Sequence, residues 1–123
     1  MTMIAGTATL ASDMPLPNAH LAVISPAKLT AYLLNPLHKR GASKARLLLG
    51  LGYRSEASSA LEADLRSQHL LLEPARVSKN AYGTVYEIDG SLVTPCGRAV
   101  RFVSIWQVDT GTDVPRFITM YPR

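Results

Sequence analysis

Apolar residues fall at helical spacing from Ser25 onward. Leu29 and Leu33, with Tyr32 beside them, make one stripe, and Ser25-Pro26 supplies an N-cap followed by a proline at the first helical position. Asn35-Pro36 ends this helix, because a residue that precedes proline is pushed out of the α region. After the turn LHKRG, Ser43 is placed to cap a second helix from Lys44 to Leu51. Its residues Ala45, Leu47, Leu48, Leu49 and Leu51 form a broad apolar face that needs burial. A third helix starts at Ser55-Glu56, with Leu61, Leu65 and Leu70 or Leu71 as its stripe and Glu62, Asp64 and Arg66 outward.

Past Pro74 the period shortens to two. PARVSKN, YGTVYEIDGSLV, RAVRFVSIWQVD and RFITMYP are rich in β-branched and aromatic residues, with turn signals at Asp89-Gly90, Pro95-Cys96-Gly97 and Thr110-Gly111. Phe102 and Trp106, alternating with Ser104, read as core. Helices followed by strands predict an α+β fold: two or three N-terminal helices packed on a three- to four-stranded antiparallel sheet. Residues 1–17, broken by the prolines of MPLPN, read as an irregular lead-in, and 18–123 as a single α+β domain. Within the domain, HLAVI is a brief strand or an extended entry.

Composition narrows the class of protein. The chain has 123 residues, 47% hydrophobic and 18% charged, enough for one domain with a real core. A single cysteine, Cys96, forms no internal disulfide, which favours a reducing compartment. No signal-peptide pattern and no bilayer-length apolar run are visible, so the expectation is a cytoplasmic protein without a membrane partner. His20, His38 and His69 lack ligand spacing with Cys or acids, so neither a metal nor a cofactor is expected. Glu87 and Asp89 alternate on one strand and read as a solvated hairpin edge.

Charge distribution adds the main functional hint. The formal net charge is +4, and no Asp or Glu occurs from Met14 to Ser55, where Lys28, Lys39, Arg40, Lys44, Arg46 and Arg54 all fall. Such a run attracts polyanions. Lys44 and Arg46 stand at the start of the second helix, where cations oppose the macrodipole at a cost of roughly a few tenths of a kcal/mol. Bound phosphate would offset that cost, and so would water.

These groups suit metal-free RNA cleavage, which needs a base for the 2′-OH proton, cations on the phosphorane and a donor at the leaving 5′-oxygen. Imidazole exchanges protons near neutral pH, which makes His38 a candidate acid or base. Lys44 and Arg46 are candidates for the scissile phosphate, Lys39 and Arg40 for further phosphate binding. Thr119 and Tyr121 share a strand face by period two and can hydrogen-bond a phosphate. Taken singly, each has a plainer reading: a surface-loop histidine, solvated helix-end cations, an exposed strand face. A non-catalytic protein- or nucleic-acid-binding module would use the same basic face.

The stretch LPNAHLAVISPAKLTAYLLNPLHKRGASKARLLLGLGY resembles a bacterial domain family of uncharacterised function, with the pattern LPNA…KL..YLL(N/D)P.HP.G..KA…LG(F/Y). The later stretch, ending in a Thr-x-Tyr-Pro strand, is similar to the same family's C-terminal half. Helices before an antiparallel sheet also look like the barnase–EndoU–colicin–RelE group of small ribonuclease toxins, a fold-level analogy. The resemblance implies a metal-independent endoribonuclease toxin of a toxin–antitoxin pair. Its substrate would be RNA, tRNA or mRNA, and a small acidic antitoxin protein would neutralise it. Carried over by position, the family's histidine falls on His38, its lysine on Lys44, and its closing Thr and Tyr on Thr119 and Tyr121. Where the family has proline after the histidine this chain has Lys39, which makes the loop more basic and less rigid.

Overall fold

The computed structural model describes residues 16–123, so the expected lead-in lies almost wholly outside the described residues. Four strands, β1 (Arg76–Asn80), β2 (Gly83–Val93), β3 (Ala99–Asp109) and β4 (Arg116–Pro122), form one antiparallel sheet in the order β1-β2-β3-β4. Before them come a π-wound helix over Lys28–Leu33, helix α1 (Ala42–Gly50) and helix α2 (Ser59–Asp64), the last continuing into a π-wound turn over Leu65–His69. The expected α+β layout is therefore the one observed: three short helices against a four-stranded antiparallel sheet.

The core lies between the helices and one face of the sheet. Leu29 and Leu33, Leu48, and Leu61 and Leu65 are buried from the helical side, against Ile88, Leu92, Phe102, Trp106 and Met120 of the strands. Each side chain of this size contributes about 1.5–3 kcal/mol when fully withdrawn from water. Of the two alternatives for the third stripe, Leu70 is buried and Leu71 exposed. His69 is also fully buried: its Nδ1 lies 2.7 Å from Ser104 Oγ and its Nε2 3.0 Å from the Gly90 carbonyl. Trp106 Nε1 donates to the same Ser104 Oγ at 2.9 Å, so these buried polar atoms are paired. Residues Ala22 to Ile24 are an extended entry, in which Val23 bridges in parallel to Arg116 at the outer edge of β4.

Three local expectations are corrected. Asp89-Gly90 is no turn but lies inside β2, paired with Val103 and Phe102. A Cβ at Gly90 would collide with Leu72 Cδ1, so the glycine admits a close approach by the residues after the third helix. Asp89 is likewise no solvated edge: Arg101 donates to it through Nε and a terminal nitrogen at 2.7 and 2.9 Å, and Arg123 adds a further ion pair. Ser43 does not cap the second helix, which starts two residues earlier than expected, at Ala42, with Gly41 in the cap position and no side-chain cap bond.

The last strand carries a bulge. Ile105 pairs with Thr119 while Trp106 pairs with Phe117, so the register passes over Ile118. This irregularity lets Phe117 and Met120, three residues apart, both face the core, where Phe117 meets the Trp106 ring edge-on at 5.2 Å. Directly opposed residues share a face in an antiparallel pair. Thr119 and Tyr121, opposite Ile105 and Val103, therefore lie on the face away from Phe102, Ser104 and Trp106.

Candidate functional site

Beside β4, three elements bring three polar atoms into one closed triangle. Lys44, in the first turn of α1, donates from Nζ to Tyr32 Oη at 2.7 Å and to Thr119 Oγ1 at 3.1 Å. Tyr32 Oη and Thr119 Oγ1 are themselves 2.9 Å apart. The local sequence explains how each element arrives there. The π winding closes with Leu34 N–H bonded to the Leu29 carbonyl five residues back, while Leu29 and Leu33 hold the helix to the core and Tyr32 stays half-buried at its flank. Gly41 then lets α1 start against the tyrosine ring: a Cβ there would meet Tyr32 Cδ1 at 2.8 Å.

The triangle is electropositive. Lys44 Nζ and Lys28 Nζ lie 5.3 and 5.9 Å from the centroid of the Tyr32 ring. Among the described residues, Lys28, Lys39, Arg40, Lys44 and Arg46 take part in no salt bridge; those formed use Arg66, Arg76, Arg101, Arg116 and Arg123. Burial alone would push the Tyr32 phenol up. The hydrogen bonds with Lys44 and Thr119 and the charges of Lys44 and Lys28 outweigh it and hold the phenol below its ordinary value. Such a group gives up its proton more readily than a free tyrosine.

His38 serves the loop before α1. Its Nδ1 accepts the backbone N–H of Arg40 at 3.1 Å and of Gly41 at 3.0 Å, and its ring meets the Tyr32 ring edge-on at 4.9 Å. It thus closes the turn that leads into α1, ahead of the helix's own first N–H groups. Because a backbone N–H can only donate, Nδ1 carries a lone pair and the neutral ring holds its proton on Nε2.

The structure brings together Lys44 and Thr119, with His38 beside them through Tyr32. Lys39, Arg40 and Arg46 are exposed, and among the described residues none of their side chains hydrogen-bonds to this cluster. Tyr121 is half-buried two residues beyond Thr119 on the same sheet face, likewise without a side-chain hydrogen bond among the described residues. Helical spacing assigned Tyr32 to the buried stripe and so missed its hydroxyl. The available signal was its place inside KLTAYLLNP, within the acid-free run. Among the described residues no group of three or more His, Cys, Asp or Glu converges in a way that could hold a metal ion, and no helix is long and apolar enough to cross a membrane.

The chain belongs to DUF6883, a domain family of unknown function, whose model matches residues 15–123. Its fold is similar to that of one chain of a contact-dependent growth inhibition toxin–immunity protein complex from Klebsiella pneumoniae 342. That likeness has a TM-score of 0.65 at 20% sequence identity and covers 82% of this chain and 99% of that one. No curated protein matches the sequence.

Proposed function

We propose that this domain is a metal-independent endoribonuclease toxin, acting on cytoplasmic RNA and neutralised by a small acidic partner protein. The observation that carries this reading is the Lys44–Tyr32–Thr119 triangle: an ammonium and two hydroxyls drawn from distant parts of the chain, with no carboxylate among them. In this reading the 2′-hydroxyl attacks the adjacent phosphorus, the P–O5′ bond breaks, and a 2′,3′-cyclic phosphate and a free 5′-hydroxyl result. Lys44 stabilises the charge that builds on the phosphorane, and Thr119 and Tyr121 hydrogen-bond its oxygens. Arg46, Lys39 and Arg40 hold the scissile and neighbouring phosphates, and His38 stands at the edge of the site. The fold shared with a chain of a toxin–immunity complex supports a role in a two-protein system. The net charge of +4 and the acid-free run favour the RNA-cutting side of such a pair over its acidic neutraliser.

A non-catalytic binding module is the competing reading, favoured by the fact that the three triangle atoms already satisfy one another. Incubation of the purified domain with total RNA in EDTA separates the two. Cleavage with cyclic-phosphate ends, and growth arrest on expression in a host cell, are the results expected of the toxin. Intact RNA at high protein concentration would overturn it.

A further inference from the structure

We infer that Tyr32 takes the 2′-hydroxyl proton in this reaction, and that His38 is a positioning residue that shapes the Lys39–Gly41 turn. This assignment rests on the ribonuclease reading above and deepens it.

The lone pairs decide between the two groups. His38 Nδ1 is committed to two backbone donors, the N–H groups of Arg40 and Gly41. The other ring nitrogen carries the proton, so the neutral ring offers no free lone pair to a substrate. For His38 to act as a base it would have to break both turn hydrogen bonds and change tautomer, at the point where α1 begins. Asn80 repeats the arrangement elsewhere in the chain: its Oδ1 accepts the N–H groups of Tyr82 and Gly83, two and three residues on, at 2.8 and 3.0 Å. Nothing in that turn is expected to transfer protons. The same pattern at His38 therefore reads as turn chemistry.

Tyr32 has the opposite character. Its hydroxyl lies within hydrogen-bond reach of both groups expected at the phosphate, Lys44 Nζ at 2.7 Å and Thr119 Oγ1 at 2.9 Å. The charged and titratable groups around it are Lys28 on its own helix, Lys44 on α1 and His38 in the loop, while β4 contributes the uncharged Thr119. The hydrogen bonds with Lys44 and Thr119 and the charges of Lys44 and Lys28 overcome burial and hold the phenol below its ordinary value, which agrees with this role.

The protons balance within the triangle. The phenolate takes the 2′-hydroxyl proton as the 2′-oxygen bonds to phosphorus. The Lys44 ammonium gives a proton to the leaving 5′-oxygen as the P–O5′ bond breaks. Tyr32 is then neutral and Lys44 an amine, and the 2.7 Å hydrogen bond between them returns the proton and restores both groups. No further reactant is needed.

The test compares wild type, Tyr32→Phe, His38→Ala, His38→Asn and a protein carrying 3-fluorotyrosine at position 32, with RNA in EDTA. Failure of the wild type to cleave would remove the ribonuclease reading itself. Given wild-type cleavage, Tyr32→Phe should lose activity at least about a hundredfold. His38→Asn, whose Oδ1 can accept the same turn N–H groups, should stay within about tenfold of wild type and well above His38→Ala. Fluorination makes the phenol more acidic while keeping the hydroxyl and its bonds, so the rising limb of the pH–rate profile should move to lower pH. The assignment is overturned by His38→Asn as inactive as His38→Ala, by Tyr32→Phe within about tenfold of wild type, or by a limb that fluorination leaves in place. Because the fluorinated protein keeps the triangle, a folding defect in Tyr32→Phe does not blunt the test.

Discussion

Lys44 and Thr119, 75 positions apart in the chain, meet at 3.1 Å between the first turn of α1 and the bulged last strand. The contact depends on two irregularities at once. Gly41 permits α1 to start against Tyr32, and the bulge at Ile118 turns Thr119 away from the core while Phe117 and Met120 remain in it. An ammonium that would otherwise sit in solvent at a helix N-terminus is thereby held between two hydroxyls.

Removing that ammonium should separate function from folding. Lys44→Ala is expected to lower RNA cleavage by at least about a hundredfold, the size of effect seen when one donor to a developing oxyanion is lost. The same change removes hydrogen bonds at a half-buried site, each contributing about 1 kcal/mol net, so the variant should fold and melt only modestly earlier. Cleavage assays in EDTA beside a thermal melt check both halves, and unchanged cleavage would take Lys44 out of the site.

Gly41→Ala should damage fold and site together. The new Cβ would lie 2.8 Å from Tyr32 Cδ1 and 2.9 Å from the Tyr32 carbonyl oxygen, and the backbone atom has little freedom to yield. Overpacking of this kind costs about 1–3 kcal/mol. Denaturant melts should show that loss, with a fall in cleavage because the Tyr32 hydroxyl is displaced from Lys44. A variant as stable and as active as wild type would show that the ring has room to move.

The exposed cations of the acid-free run should act through the field they create. Arg46→Ala is expected to weaken RNA binding alike for different sequences and to reduce the slope of log affinity against log salt by about one. Its loss should be largest at low ionic strength and fade as screening grows. Titrations at several salt concentrations measure the slope, and a slope equal to that of wild type would place Arg46 outside the RNA path.

Stability should fall in mild acid because of His69. Burial lowers its affinity for a proton, against the opposing effects of the Gly90 carbonyl and the Asp89 charge, and so holds it below the ordinary value of 6.5. The unfolded chain therefore binds a proton that the folded chain refuses. The contribution of His69 is complete above 6.5 and is lost as pH falls below it. Denaturation midpoints at about pH 7.5 and about pH 5.5 should differ more for wild type than for His69→Gln, which cannot titrate. Equal differences in the two proteins would exclude this group as the cause.

Much of the architecture was legible from periodicity. The stripe of Leu61, Leu65 and Leu70, the alternation of Phe102, Ser104 and Trp106, and the order of helices before strands all describe what is buried, and burial leaves a regular mark on the chain. The misreadings share one physical origin. Asp89-Gly90 looks like a turn because local composition cannot show that Leu72 will press against Gly90. Ser43 looks like a cap because nothing local shows that the helix will begin at Ala42, with Gly41 packed against the Tyr32 ring. Tyr32 was assigned by spacing to the core, and its hydroxyl found another role.

The amino-acid sequence by itself determined the fold class, the buried stripes and the long acid-free run that holds Lys28, Lys39, Arg40, Lys44 and Arg46. These follow from hydrophobic burial and net charge, which each residue carries wherever it stands. Only the tertiary structure decided that Tyr32 and Thr119 meet at Lys44 and that the His38 ring is turned to the backbone. Those hydrogen bonds depend on sheet register, a bulge and a missing side chain at Gly41. Those are set by how distant segments pack, and no local pattern records them.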